Sequence, residues 1–404
     1  DDVELVPLFG WYSLLSSDAS PISLEGTRKL VNGVYHCSEI DQEGGFFAGL
    51  GDNEHTGEYT GDSQSMMVWI DYGNPVYFER CLKIAKLMRD LWSGINNEGH
   101  RHMKSIFFGA GRIGLTPELC NDHDLNGRVV SPAFQTALYN NNPTVTKLFL
   151  EWADAWVHAA EKTEKGKPFG VIPSTVGYQT GTLGGTGSDK WYELGSSVIG
   201  SGPHWPKYQA QFIRPLLVWA YRLTGNFKYL RPFKIQADIA REHDPAVRMP
   251  EVGSRAWIAQ QLHNIGSIEF WESIERELLH TKPYEFPKLP PAKAIEAYHR
   301  MDRGYRERWP FVTTEALATD RVFIPGGFIA PLENATGMSK VGGMMLRGAF
   351  NLAFTYRNTT RDFAAHVLGH TDQKARLLLY SFANESGSVA VRPWLLQIGG
   401  RYSL

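Results

Sequence analysis

The chain has 404 residues, 43% hydrophobic and 21% charged, with a formal net charge of −2. This is an ordinary globular composition with ample material for a core. Near-neutral charge and the lack of any Lys/Arg block exclude an electrostatic nucleic-acid binder, and no apolar run approaches a membrane span. The three cysteines, Cys37, Cys81 and Cys120, are odd in number and lack CxxC spacing, which excludes a disulfide framework and a thiolate zinc site.

The chain begins at Asp1 rather than Met, which reads as a processed or trimmed start and points to a secreted or periplasmic setting. Residues 1–50 read as a lead-in segment. The stretch GDNEHTGEYTGDSQ at 51–64 holds four acids, one histidine, one tyrosine and three glycines, and reads as a polar loop at the mouth of a helix. Asp62 and Ser63 stand where a helix cap is expected.

Helical hairpins follow. SMMVWIDY, GNP and VYFERCLKIAKLMRDLW occupy 65–92; VVSPAFQTALY, NNNP and TVTKLFLEWADAWVHAA occupy 129–160. YQAQFIRPLLVWAYRL, TGN and FKYLRPFKIQADIA fill 208–240; SRAWIAQQLHNI, GS and IEFWESIERELL fill 254–279. Each unit is an apolar helix, a Gly/Asn turn near Asn74, Asn142, Asn226 or Gly266, and an amphipathic helix. Their irregular spacing predicts an incomplete or full α/α toroid over 51–280 rather than a regular solenoid. Residues 281–344 form a connector with the Pro-rich stretch KPYEFPKLPPAK. Alternating segments from 345 to 404 predict a small C-terminal antiparallel β domain.

Between the hairpins lie NNEGHRHMKSIFFGAGRIG (96–114), PELCNDHDLNGR (117–128) and the Gly-rich 178–208. In a toroid such loops gather at one end and line a cleft. Helical hairpins with GN turns, loops of the GDNEHTGEY and NEGHRH kind, and a strand module ending in GGRYSL resemble the (α/α)-toroid polysaccharide lyases and related carbohydrate-active proteins, nearest to exo-acting rhamnogalacturonan lyase-like proteins. The resemblance covers about residues 40–280 and 345–404. It implies an acidic, uronate-containing glycan as partner and β-elimination as the reaction.

Elimination needs a group that neutralises the C6 carboxylate, a base for the C5 proton and an acid for the leaving oxygen. The expected base and acid come from His55, Tyr59, His102, His123, Tyr192 and His204. Expected substrate contacts are Glu58, Arg101, Asn121, Arg128, Tyr178, Trp191 and Trp205. The aromatic content of 12% suits sugar stacking, although Trp205 equally suits the start of a buried helix. A loop histidine is more often a hydrogen-bonded structural residue than a catalyst.

Two rivals stay open. A glycoside hydrolase would draw a carboxylate pair from Glu54, Glu58, Asp62, Asp124 and Glu193. A non-catalytic glycan-binding or structural subunit would point the same histidines and tyrosines apart or into the core. No cofactor is expected. Asp122, Asp124 and Asn126 match the opening of a calcium loop, but its twelfth position is Ala133. His100, His102 and His123 are the alternative cluster, for zinc.

Overall fold

The computed structural model describes residues 20–279 and 354–393, except 66, 72, 141, 194–204, 207–211, 358–362, 371–372 and 384. The connector 281–344, His204, Tyr208 and the terminal GGRYSL fall outside the described residues.

The architecture is mainly α, with small antiparallel two-stranded sheets. Helix α1 (Ser20–Tyr35) lies within the 1–50 lead-in segment. It buries Thr27, Val31 and Tyr35, four residues apart on one face. Strands β1 (Ile40–Asp41), β2 (Phe46–Phe47) and β3 (Gly51–Asp52) lead to α2 (His55–Gly57), a wide helical turn Glu58–Asp62 and α3 (Met67–Ile70).

Thus 51–64 is mostly helical, which corrects the loop reading. The Asp52 carboxylate accepts the backbone N–H groups of Glu54 (3.0 Å) and His55 (2.9 Å), satisfying two N–H groups at the start of the helical segment. Its glycines are there for contact. A β-carbon on Gly61 would stand 2.1 Å from the Arg128 carbonyl oxygen, and one on Gly57 2.9 Å from the Arg128 side chain.

The predicted hairpins are present. Helix α4 (Pro75–Leu87) is capped by Asn74 and α6 (Pro143–Glu161) by Asn142, each followed by proline at the first helical position. Helix α5 (Asn126–Asn140) lies between them in the chain. Helix α7 (Ile213–Thr224) ends on left-handed Gly225, after which Asn226 caps the next turn and α8 (Arg231–Ala240) follows. Ser254 caps α9 (Arg255–Asn264), and left-handed Gly266 opens α10 (Ser267–Glu277). Helix α5 packs on α4 and α6, α6 on α7, and α8 on α9 and α10. Trp92, Trp152, Trp156, Phe134 and Phe149 are fully buried in this core. Among the described residues no helix is long and apolar enough to cross a membrane.

The connections carry β4 (Ser93–Ile95), β5 (Arg101–Met103), β6 (Phe107–Phe108), β7 (Asn121–His123) and β8 (Thr175–Gly177). Near the C-terminus, β9 (Phe354–Arg357) pairs antiparallel with β12 (Ala390–Pro393), and β10 (Phe363–His370) with β11 (Ala375–Ser381). Buried Asp71 holds this module to the helices. It accepts Arg28 Nε and Nη2 at 2.8 Å each, Asn74 Nδ2 at 2.7 Å and His366 Nε2 at 2.8 Å. Burial works to raise its pKa, but the His366, Arg28 and Asn74 donors outweigh it and hold the carboxyl well below the usual range. The Tyr139 hydroxyl accepts the Ala365 N–H (2.9 Å) and donates to its carbonyl (3.2 Å).

Two outcomes test this packing. Gly61→Ala should cost about 2–3 kcal/mol by overpacking, whereas Gly26→Ala, exposed on α1 with nothing within 4 Å, should gain about 0.5–1 kcal/mol. Equal shifts in denaturant midpoints would refute the close approach. Asp71→Ala strands the Arg28 guanidinium and leaves Asn74 and His366 without their acceptor, and should cost about 3–5 kcal/mol. Hydrogen exchange should then rise first across residues 363–370, and uniform loosening would count against the anchoring role.

Candidate functional site

The segments rich in acids and histidines are joined to one another. Strand β3 pairs with β6, β4 with β5, and β7 with β8. The Asn97 N–H donates to the Gln179 carbonyl (3.1 Å) and the Tyr178 N–H to the Cys120 carbonyl (2.9 Å). Strand β4 follows α4, β7 leads into α5, and β8 follows α6, so these pairings draw the connections from three helices together.

At the centre of this layer is Asp122, which is fully buried. Its Oδ2 faces His102 Nδ1 at 2.8 Å and accepts Trp152 Nε1–H at 2.8 Å. Its Oδ1 accepts Asn126 Nδ2–H at 3.2 Å. Asn126 in turn donates to the Ser105 carbonyl (3.3 Å) and accepts Asn53 Nδ2–H (2.7 Å). The network therefore ties β5, β7, α5, α6 and the start of α2 together.

The neighbours of Asp122 have other partners. His123 is buried, and its Nδ1 accepts the Leu125 N–H at 3.1 Å. Asp124 is buried beside α7, where Oδ1 accepts the Ile213 N–H at 2.7 Å and Oδ2 has no hydrogen-bond partner among the described residues. Burial pushes the Asp124 carboxyl well up from the ordinary aspartate value. Burial also lowers nearby Arg214 to about 10; its guanidinium lies 4.6 Å from the Phe270 ring centroid. The calcium-like spacing of Asp122, Asp124 and Asn126 is directed at separate protein donors. Among the described residues no three His, Cys, Asp or Glu side chains gather as a metal would require. His100 stacks on His158 (centroids 4.0 Å apart), away from the zinc grouping considered in the sequence.

No family model, no curated protein and no solved structure matches this chain.

The remaining expected residues divide by burial. His55 is 67% exposed, with Nδ1 2.8 Å from Asp52, whose hydrogen bond raises the imidazole pKa. Tyr59 stacks on Phe47, and burial raises its hydroxyl pKa, which favours the protonated form. Glu58 pairs with Arg128 at 3.3 Å. Arg101 donates to Glu151 (2.7 Å) and Ser93 (2.9 Å). Asn121 is buried, donating to the Glu118 carbonyl (2.7 Å) and accepting the Thr186 N–H (2.9 Å). The Tyr178 hydroxyl lies 3.5 Å from the Ile95 carbonyl.

Trp191, Tyr192 and Trp205 are 1%, 8% and 3% exposed, packed with Trp257. They clamp the 171–192 connection to α9, so Trp191 and Trp205 offer no open sugar platform and Tyr192, expected as base or acid, is buried with them. Trp205 Nε1 donates to the Ile172 carbonyl at 2.8 Å. The structure also brings in Trp152, Asn53 and Arg214, which sequence reasoning passed over. Trp152 and Arg214 reach the site from helices with no local motif to mark them, and Asn53 lies within the 51–64 stretch, where its acids and histidine draw the attention.

Asp124 gives a pH test. Its folded-state pKa is raised, so its contribution is complete below the unfolded aspartate value near ~3.9 and is lost as pH rises toward the folded value. Asp124→Asn keeps an acceptor for Ile213 and resembles the protonated acid in shape. The variant should flatten the stability–pH curve between acid and neutral pH and be the more stable protein at neutral pH. Loss of stability at every pH would mean that Asp124 is held as a carboxylate.

Proposed function

We propose that the protein is a secreted or periplasmic carbohydrate-active lyase, built on an incomplete or full α/α toroid, which cleaves a uronate-containing glycan by β-elimination. The observation that carries this reading is the joining of four acid- and histidine-bearing segments around the Asp122–His102 contact of 2.8 Å. In the reaction His102 takes the C5 proton, the released electron pair forms the C4–C5 double bond, and the C4–O bond breaks. A proton must then reach the leaving oxygen. Tyr59 suits that role because burial keeps its hydroxyl protonated. Arg128, paired with Glu58 at 3.3 Å, is the cation proposed for the C6 carboxylate.

One observation favours a second reading, a non-catalytic glycan-binding or structural subunit. His102 and His123 are 1% and 5% exposed, so a substrate reaches them only if the layer opens. The test is incubation with a panel of uronate polysaccharides, following the ultraviolet absorbance of the conjugated unsaturated uronate that only elimination makes. A rise with wild type that His102→Gln abolishes supports the lyase. New reducing ends without that absorbance would transfer the reading to a hydrolase. Silence in both assays with measurable glycan binding would favour the subunit.

A further inference from the structure

We propose that Asp122 is the positioning residue for His102, fixing the imidazole with its proton on Nδ1 so that Nε2 is the basic nitrogen, while Trp152 and Asn126 hold the carboxylate in place. The inference rests on the reading of His102 as the base, and it selects between two adjacent candidates. A histidine's tautomer follows from what each nitrogen faces. His102 Nδ1 faces a carboxylate oxygen, which only accepts, so Nδ1 carries hydrogen. His123 Nδ1 faces the Leu125 N–H, which only donates, so Nδ1 is a lone pair and neutral His123 carries its hydrogen on Nε2. The two rings are therefore held as opposite tautomers. Among the described residues the Asp122 contact is the one hydrogen bond of the His102 ring, leaving Nε2 as its acceptor.

Asp122 is itself fixed. A fully buried carboxylate must be hydrogen-bonded to persist, and Trp152 and Asn126 supply donors besides His102. Trp152 shares Oδ2 with His102, so it competes for the same oxygen as well as orienting it. Neither an indole nor an amide N–H is basic, so these supports orient the carboxylate without competing with the His102 ring as a proton acceptor.

The test uses the full chain labelled with ¹⁵N-histidine, the His102 signals being identified by their absence in His102→Gln. Wild type should show His102 as the neutral Nδ1–H tautomer. Asp122→Asn should lose that preference, and any elimination activity should fall by on the order of a thousandfold or more. Trp152→Phe should keep the tautomer and move the Nδ1 proton downfield, since Oδ2 then serves His102 alone. A wild-type His102 protonated on Nε2, or a tautomer unchanged by Asp122→Asn, overturns the proposal. If Asp122→Asn does not fold, Trp152→Phe decides: no movement of the Nδ1 proton also overturns it. The tautomer result stands apart from turnover, so the expected tautomer in a protein that makes no unsaturated uronate would sink the lyase reading and leave the positioning role intact.

Discussion

A buried carboxylate imposes conditions on everything around it. Removed from water, it must recover its hydrogen bonds from protein donors or lose its charge. Asp122 recovers them from a strand histidine, a helix tryptophan and a helix-start asparagine. Each donor lies on a different element, so satisfying one side chain fixes the placement of β5, α5 and α6 together. The chain from Asn126 to Asn53 extends the same requirement to the start of α2. Connections rich in glycine and polar residues have little aliphatic surface to hold them. Here polar satisfaction does what apolar burial does among the helices.

Close backbone approach is the second constraint. Gly57 and Gly61 let α2 and the wide turn after it lie against Arg128, and Ser65 continues the line with a 2.9 Å hydrogen bond to Ser131. Small residues four apart present one face of a helix. The contact places Arg128 beside Glu58, so the same glycines that permit the packing also determine where this ion pair lies. Tyr59, the next residue, stacks on Phe47.

The parts of the fold legible in sequence are those encoded locally. Asn74, Asn142, Asn226, Ser254, Gly225 and Gly266 act within a few residues of themselves, and each marks a real helix boundary. The segment at 51–64 was misread because glycine is a loop signal unless a close neighbour explains it, and that neighbour is about 70 positions away. Trp205 is open to two readings in sequence because Trp257, which packs on it, is on a later helix. Asp71 and His366 are 295 positions apart, and no local pattern connects them.

The DHD run shows how backbone conformation turns one motif into several roles. A calcium loop curls its alternate side chains toward one ion. Here Asn121–His123 is a strand paired with Thr175–Gly177, and in a strand successive side chains leave on opposite faces. Asp122 therefore departs on the side opposite Asn121 and His123, where it meets His102 and Trp152. Asp124 lies one residue past the strand, where the chain turns into α5, and its carboxyl reaches the first turn of α7. Two acids separated by a single histidine are thus split between a histidine contact and a helix start. Their environments part them further: Asp122 is surrounded by donors, whereas one Asp124 oxygen has no partner among the described residues and burial drives that carboxyl toward its protonated form. Spacing alone does not distinguish a curled loop from a strand; what decides it is the pairing with Thr175–Gly177, contributed by a segment about fifty residues later in the chain.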